Sequence, residues 1–218
     1  MRLLVVTGLR REARILSGPG IETVAGGGDA ARLEAVLGDA VRIARGVISL
    51  GIAGALAPGL APGDWVVAEA VLDGAEAIPA DAAWRDRLAA ALPGARTGLL
   101  LGSDTMVADA AAKAARHAAT GAIAVDMESH VAARVARRHG VPFAAARVVS
   151  DAADRDLPPA ARVGMRPDGG MDLPAVLRAL AARPGQLPAL LRTGWEAERA
   201  FCALLRGRKA LGPGLAAA

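Results

Sequence analysis

Short uninterrupted apolar runs alternate with stretches of helical spacing along the first 155 residues. Residues 3–7, 21–25, 46–50, 65–72, 97–101, 122–125 and 143–149 read as strands. Residues 10–16, 30–37, 84–92, 109–119 and 127–139 read as helices, the last with Met127, Val131 and Val135 on one stripe. The strand runs are apolar at successive positions, so both of their faces need cover from helices. The pattern predicts an α/β protein: a three-layer α/β/α sandwich around a central mixed, mostly parallel sheet. Ligands in such folds bind beyond the carboxyl ends of strands. Gly8, Gly51, Gly102, Asp126, Ser150 and Asp151 fall at those ends.

From Leu157 the texture changes to the Pro- and Gly-rich LPPAARVGMRPDGG, and helical spacing returns at 172–182 and 187–208. The expected organisation is a core domain over 1–182 and a helical extension over 183–218. No internal repeat is visible.

Composition narrows the function. The chain is 53% hydrophobic and 22% charged, enough to bury a core. Aromatic residues are 2% with no Tyr, which argues against modules that stack exposed bases, so no nucleic-acid partner is expected. From Arg183 onward six basic residues face two acidic ones, which accounts for the whole net charge of +4. Cys202 is the single cysteine, so a reduced cytoplasmic setting is expected. No apolar run reaches the ~18 residues of a membrane span, and the apolar part of the amino-terminal segment is too short for a secretory signal. His117, His130 and His139 have no clustered Cys or carboxylate partners, so no metal is expected. Walker, dinucleotide-binding and nucleophile-elbow motifs are absent.

Three stretches carry candidate chemistry. GIAG (51–54) reads either as a tight turn or as backbone that lets an anion or sugar approach closely. DMES (126–129) opens a helix. Asp126 can cap it, while Glu128 can favour the helix dipole or accept hydrogen bonds from two vicinal hydroxyls. RVVSDAAD (147–154) delivers Ser150 and Asp151 to a strand end, where Asp151 is either a cap or an acid in a pocket.

In chain order, TGLRRE with Glu12, SLGIAGALAPGLAPGDWVVA (49–68) and VDMESHVAARVARRHGVPFAAARVVSDAAD (125–154) resemble the purine nucleoside phosphorylase and methylthioadenosine/adenosylhomocysteine nucleosidase superfamily. The resemblance implies that Asp151 protonates purine N7 with Ser150 orienting it. It implies that Glu128 holds the ribose hydroxyls and Met127 packs under the sugar. At the place of Glu12 the nucleosidases activate water. The phosphorylases hold phosphate with glycine and arginine near this loop, which are Gly8 and Arg11 here. Gly51 and Ile52 complete that site, with Ile52 where the family often has a hydroxyl residue. In GSDTMVAD, Thr105 replaces the stacking Phe of nucleosidases, so base contacts are expected from the backbone near Thr105 and Met106.

A narrower resemblance, through GIAGALAPGL, DMESHVAARVA, LPPAA and RPGQLPALLRT, is to the hopanoid-associated phosphorylases. It implies release of adenine from adenosylhopane, inorganic phosphate as co-substrate with no other cofactor, and a homo-oligomer. The apolar stripe of the last helix is expected to pack on the core or a partner subunit, or to touch the inner face of the membrane, where a lipid-linked nucleoside resides.

Overall fold

Two large apolar cores, one on each face of a central sheet, and a smaller third cluster around Leu72, Leu101 and Val125 account for the apolar strands. The computed structural model describes residues 2–92 and 94–217. The strands are β1 (Arg2–Thr7), β2 (Ile21–Ala25), β3 (Ala44–Ala55), β4 (Trp65–Asp73), β5 (Glu76–Pro79), β6 (Arg96–Gly102), β7 (Ala124–Asp126) and β8 (Phe143–Asp151). The helices are α1 (Arg10–Leu16), α2 (Ala30–Ala40), α3 (Ala82–Ala91), α4 (Ala110–Thr120), α5 (Ser129–Arg138), α6 (Pro159–Arg162), α7 (Leu173–Ala182) and α8 (Leu187–Ala210). Leu4 and Val6 of β1 pack with Leu33, Leu37, Val131 and Val135 of α2 and α5. Leu3 and Val5 pack instead with Leu16, Trp84, Leu88, Phe201 and Leu204 of α1, α3 and α8. A strand buried on both faces needs no polar alternation.

The strand order is β2-β1-β3-β7-β6-β4-β5, and β8 pairs with both β3 and β4. β3, β7, β6, β4 and β8 therefore close on themselves into a ring. The mixed α/β architecture expected from the sequence is the one observed. Two local readings change. GIAG is not a turn, because β3 runs through it to Ala55. β5 is an added strand that pairs antiparallel with β4; its four residues are too short to stand out as a run.

The proposed boundary at 182/183 falls in the short connection between α7 and α8. Ala200, Phe201, Ala203 and Leu204 of α8 share the core of β3, β4 and β8. Gly207 admits α8 to this seat, since a Cβ there would lie 2.2 Å from the Trp65 ring. Gly207→Ala is expected to lower the thermal midpoint by several degrees. Overpacking costs about 1–3 kcal/mol and outweighs the gain of about 1 kcal/mol in helix propensity. Calorimetry of the two proteins checks this, and an unchanged midpoint would contradict the close seat.

Candidate active site

Glu12 enters the interior because it turns back on its own helix start. Its Oε2 accepts the Leu9 N–H at 2.6 Å, and its Oε1 accepts the Ile52 N–H of β3 at 2.7 Å. The side chain is fully buried. Burial pushes its carboxyl above the usual range, against the pull of the Arg147 guanidinium and of backbone N–H groups. Gly51 makes room for this, because a Cβ there would meet Glu12 Oε1 at 2.7 Å and the Arg147 guanidinium at 2.8 Å.

Arg147 of β8 is itself fully buried. Its Nε lies 3.0 Å from Asp126 Oδ2, and a terminal nitrogen lies 3.7 Å from Glu128 Oε2. It also donates to Ser49 Oγ at 2.6 Å. Asp126 caps α5, accepting the N–H groups of Glu128 and Ser129 at 2.8 and 2.6 Å on Oδ1. Asp126 is thus the cap, which leaves the Glu128 carboxylate free to line the cavity. The Glu128 carboxyl is pushed up to about 8, first by burial and then by the neighbouring Asp126 and Glu12 carboxylates, with Arg147 opposing.

Asp151 stands at the end of β8, beside a bulge. Ala53 pairs with Val149 but Gly54 pairs with Asp151, so Ser150 is the extra residue. Successive strand side chains ordinarily point to opposite faces; a bulge re-aims them. Here it lets Ser150 Oγ donate to Asp151 Oδ1 at 2.7 Å. Gly54 leaves space for the carboxylate, whose Oδ2 would sit 3.1 Å from a Cβ. Oδ2 accepts from Lys113 Nζ of α4 at 2.5 Å, and the Lys113 side chain is fully buried. Asp151 is therefore no helix cap.

These groups line one cavity of about 460 Å³. Gly8, Glu12, Ile52, Thr105, Met106, Met127, Glu128, Ser150 and Asp151 all reach it. Most of the rest of its lining is apolar and comes from residues 157–197, including Leu157, Met165, Met171, Val176 and Leu190. Two expected members are placed elsewhere. Gly51 lies behind Glu12 rather than on the wall. Arg11 points away, forming a bidentate pair with Glu198 and lying 4.0 Å from the Phe201 ring centre. The Ile52 N–H is taken by Glu12. Asp154 is exposed and outside the cavity.

Lys113 is the residue the sequence reading missed. Its only signal was rarity: two lysines among 26 basic residues, one of them in an Ala-rich helix. Among the described residues no group of His, Cys, Asp and Glu is arranged to hold a metal.

The fold and the acid-lined cavity define an enzyme that cleaves the N-glycosidic bond of nucleosides. The chain belongs to the phosphorylase superfamily, whose sequence profile it matches over residues 21–182. The solved structures it resembles include the methylthioadenosine/adenosylhomocysteine nucleosidase of Streptococcus pneumoniae bound to a transition-state inhibitor. That likeness has a TM-score of 0.61 and 19% identity, covering 97% of this chain and 100% of the other. The corresponding nucleosidase of Helicobacter pylori gives 0.66 at 15% identity, covering 97% and 96%. Futalosine hydrolase of Helicobacter pylori gives 0.65 at 14% identity, covering 97% of each chain. No curated protein matches the chain.

The raised carboxyls set a pH dependence. Below about pH 4.5 Glu128 is protonated in both the folded and the unfolded chain, so its contribution is fully present. Above that value the unfolded chain releases a proton that the folded protein keeps. Stability is therefore lost as pH rises toward about 8, and Glu12 acts in the same direction. Melting curves between pH 5 and 8.5 are expected to show a falling midpoint, with a shallower fall in Glu128→Gln. A midpoint that climbs over this range contradicts the buried, proton-holding carboxyls.

Proposed function

We propose that this enzyme hydrolyses a purine nucleoside whose 5′ carbon carries a bulky apolar group. The observation that carries the reading is the make-up of the cavity wall: four carboxylates together with a mostly apolar lining from residues 157–197. Asp151 gives a proton to purine N7, so the C1′–N9 electrons leave on a neutral base. Glu128 accepts hydrogen bonds from the vicinal ribose hydroxyls, and Met127 lies against the sugar. Glu12 takes a proton from water as the oxygen bonds to C1′, and the ionised form of a carboxyl raised by burial is the stronger base. Positive charge developing on the sugar favours the ionised form of the neighbouring Glu128 and Glu12 carboxyls and is stabilised by it.

Water is favoured over phosphate by the wall itself. Glu12, Asp126, Glu128 and Asp151 line the cavity, and none of the described lining residues is basic. Arg10 is paired with Asp168 and Arg11 with Glu198, and the buried Arg147 and Lys113 are engaged by the site's own carboxylates, so none of these four is left for a phosphate dianion. The mostly apolar lining from residues 157–197 fits a substituent without hydrogen-bonding groups. Together with the likeness to hopanoid-associated phosphorylases, this makes adenosylhopane the preferred substrate.

Adenine release is to be measured with adenosine, methylthioadenosine and a lipid-linked adenosine, with and without phosphate. The expected result is fastest turnover of the lipid-linked compound, a rate independent of phosphate, and free ribosyl product. Ribose 1-phosphate products would replace the hydrolytic reading with the phosphorolytic one. Asp151→Asn is expected to bind nucleoside but lose base release by orders of magnitude. A near-wild-type rate would remove Asp151 from the mechanism.

The same reading extends to the surface beside this lining. Leu187, Leu191 and Trp195 form an exposed stripe at a spacing of four on α8, and Leu173 and Leu177 are exposed on α7. Exposed Arg178, Arg183 and Arg192 lie on the same segment. Apolar side chains flanked by arginines suit an anionic bilayer surface. No helix among the described residues is long and apolar enough to cross a membrane. Flotation with vesicles containing anionic lipid is expected to carry the wild-type chain and not Leu191→Glu/Trp195→Glu. Failure of the wild-type chain to float removes the membrane contact. A stable dimer that the double variant dissolves would assign the stripe to a second copy instead.

A further inference from the structure

A lysine with no exposed surface is rare, and Lys113 is the buried residue of α4. Burying an ammonium is costly unless it is paired and hydrogen-bonded. Lys113 meets both conditions. Its three protons meet three acceptors: Asp151 Oδ2 at 2.5 Å, the Ala152 carbonyl at 3.0 Å and the Arg155 carbonyl at 2.9 Å. A compact ammonium suits three convergent acceptors, whereas a planar guanidinium does not. In a chain that places arginine at almost every other basic position, this choice is specific to the site. α4 is held in place by further contacts to the same loop and its continuation. Asp156 accepts the Ala110 N–H at 2.7 Å, and Arg162 pairs with Asp109 at 2.6 Å.

Ser150 adds a constraint of hydrogen count. Its hydroxyl lies 3.1 Å from the Ala53 carbonyl and 2.7 Å from Asp151 Oδ1, and its one hydrogen serves one of them at a time. A protonated Asp151 leaves that hydrogen on Ala53. A carboxylate draws it to Oδ1. Both oxygens of the carboxylate then have a donor, one from Ser150 and one from Lys113.

We propose that Lys113 is a positioning residue for the base-protonation step, holding Asp151 Oδ2 and supplying the counter-charge when Asp151 becomes a carboxylate. The proposal rests on Asp151 being the acid. In the step, the Asp151 O–H bond breaks and an N7–H bond forms. The C1′–N9 pair goes to the purine, and the O–H pair stays on Asp151. The negative charge thus arrives beside an ammonium already in place, so no reorganisation is needed as it develops.

The test compares Lys113→Met, Lys113→Gln, Asp151→Asn and the double variant Lys113→Met/Asp151→Asn. Adenine release is followed with the best substrate, and melting curves confirm folding. Lys113→Met is expected to lose roughly 100-fold in kcat, as when one preorganised donor to developing charge is removed, with KM within about threefold. Lys113→Gln, which keeps a hydrogen-bond donor without the charge, is expected to lose kcat likewise. It carries the test if the Met variant does not fold. In the Asp151→Asn background the Lys113 substitution is expected to add no further loss. A Lys113 variant with kcat near wild type, alongside an inactive Asp151→Asn, overturns this proposal alone. So does a Lys113 effect that persists undiminished without Asp151, which is what mere structural damage produces. An active Asp151→Asn overturns the acid reading and this proposal with it.

Discussion

The buried guanidinium of Arg147 is the interaction around which the site is assembled. It lies between Asp126 and Glu128 from the start of α5 and is the chief attraction on Glu12 from α1. Three carboxylates so close together and so deeply placed repel one another and resist losing water. One cation does not neutralise all of them. Burial raises the carboxyls of Glu12 and Glu128, and at Glu128 the Asp126 and Glu12 charges add to it. In the proposed reaction this crowding is useful, because a carboxyl that holds its proton more tightly is, once ionised, a stronger base, and a cationic sugar relieves the repulsion.

The backbone of β3 makes that crowding possible. Gly51 admits Glu12 and Arg147 on one side, and Gly54 admits Asp151. The glycines serve close approach of carboxylates and not a turn, and Gly54 also lines the cavity. The bulge at Ser150 then brings two neighbours together that a regular strand would separate. The site is thus divided between two cations. Arg147 holds Asp126 and Glu128, and Lys113 holds Asp151.

The carboxyl-terminal segment has two jobs that its sequence did not separate. The later part of α8, through Phe201 and Leu204, completes the core under β3, β4 and β8. Its earlier part, through Leu190, Gly194 and Ala197, walls the cavity. The clasp of Arg11 on Glu198 and Phe201 ties this wall to α1, and thereby to Glu12. A residue read as a phosphate ligand is instead a strut between two walls of the site.

Strand and helix alternation was legible in the chain, because burial on both faces leaves unbroken apolar runs and amphipathic helices leave stripes. Glu12, Glu128 and Asp151 were legible too, since each stands in a recognisable stretch next to a strand end. Three decisions came only with the tertiary structure. β3 passes straight through GIAG, because its glycines answer to side chains from elsewhere in the chain. Arg11 faces outward, because Glu198 lies 187 residues away in sequence and adjacent in space. Lys113 meets Asp151 across 38 residues, from a helix whose own pattern announces nothing. Local pattern records which faces are buried. Which charges meet there depends on how distant segments cross, and no periodicity in the sequence encodes that crossing.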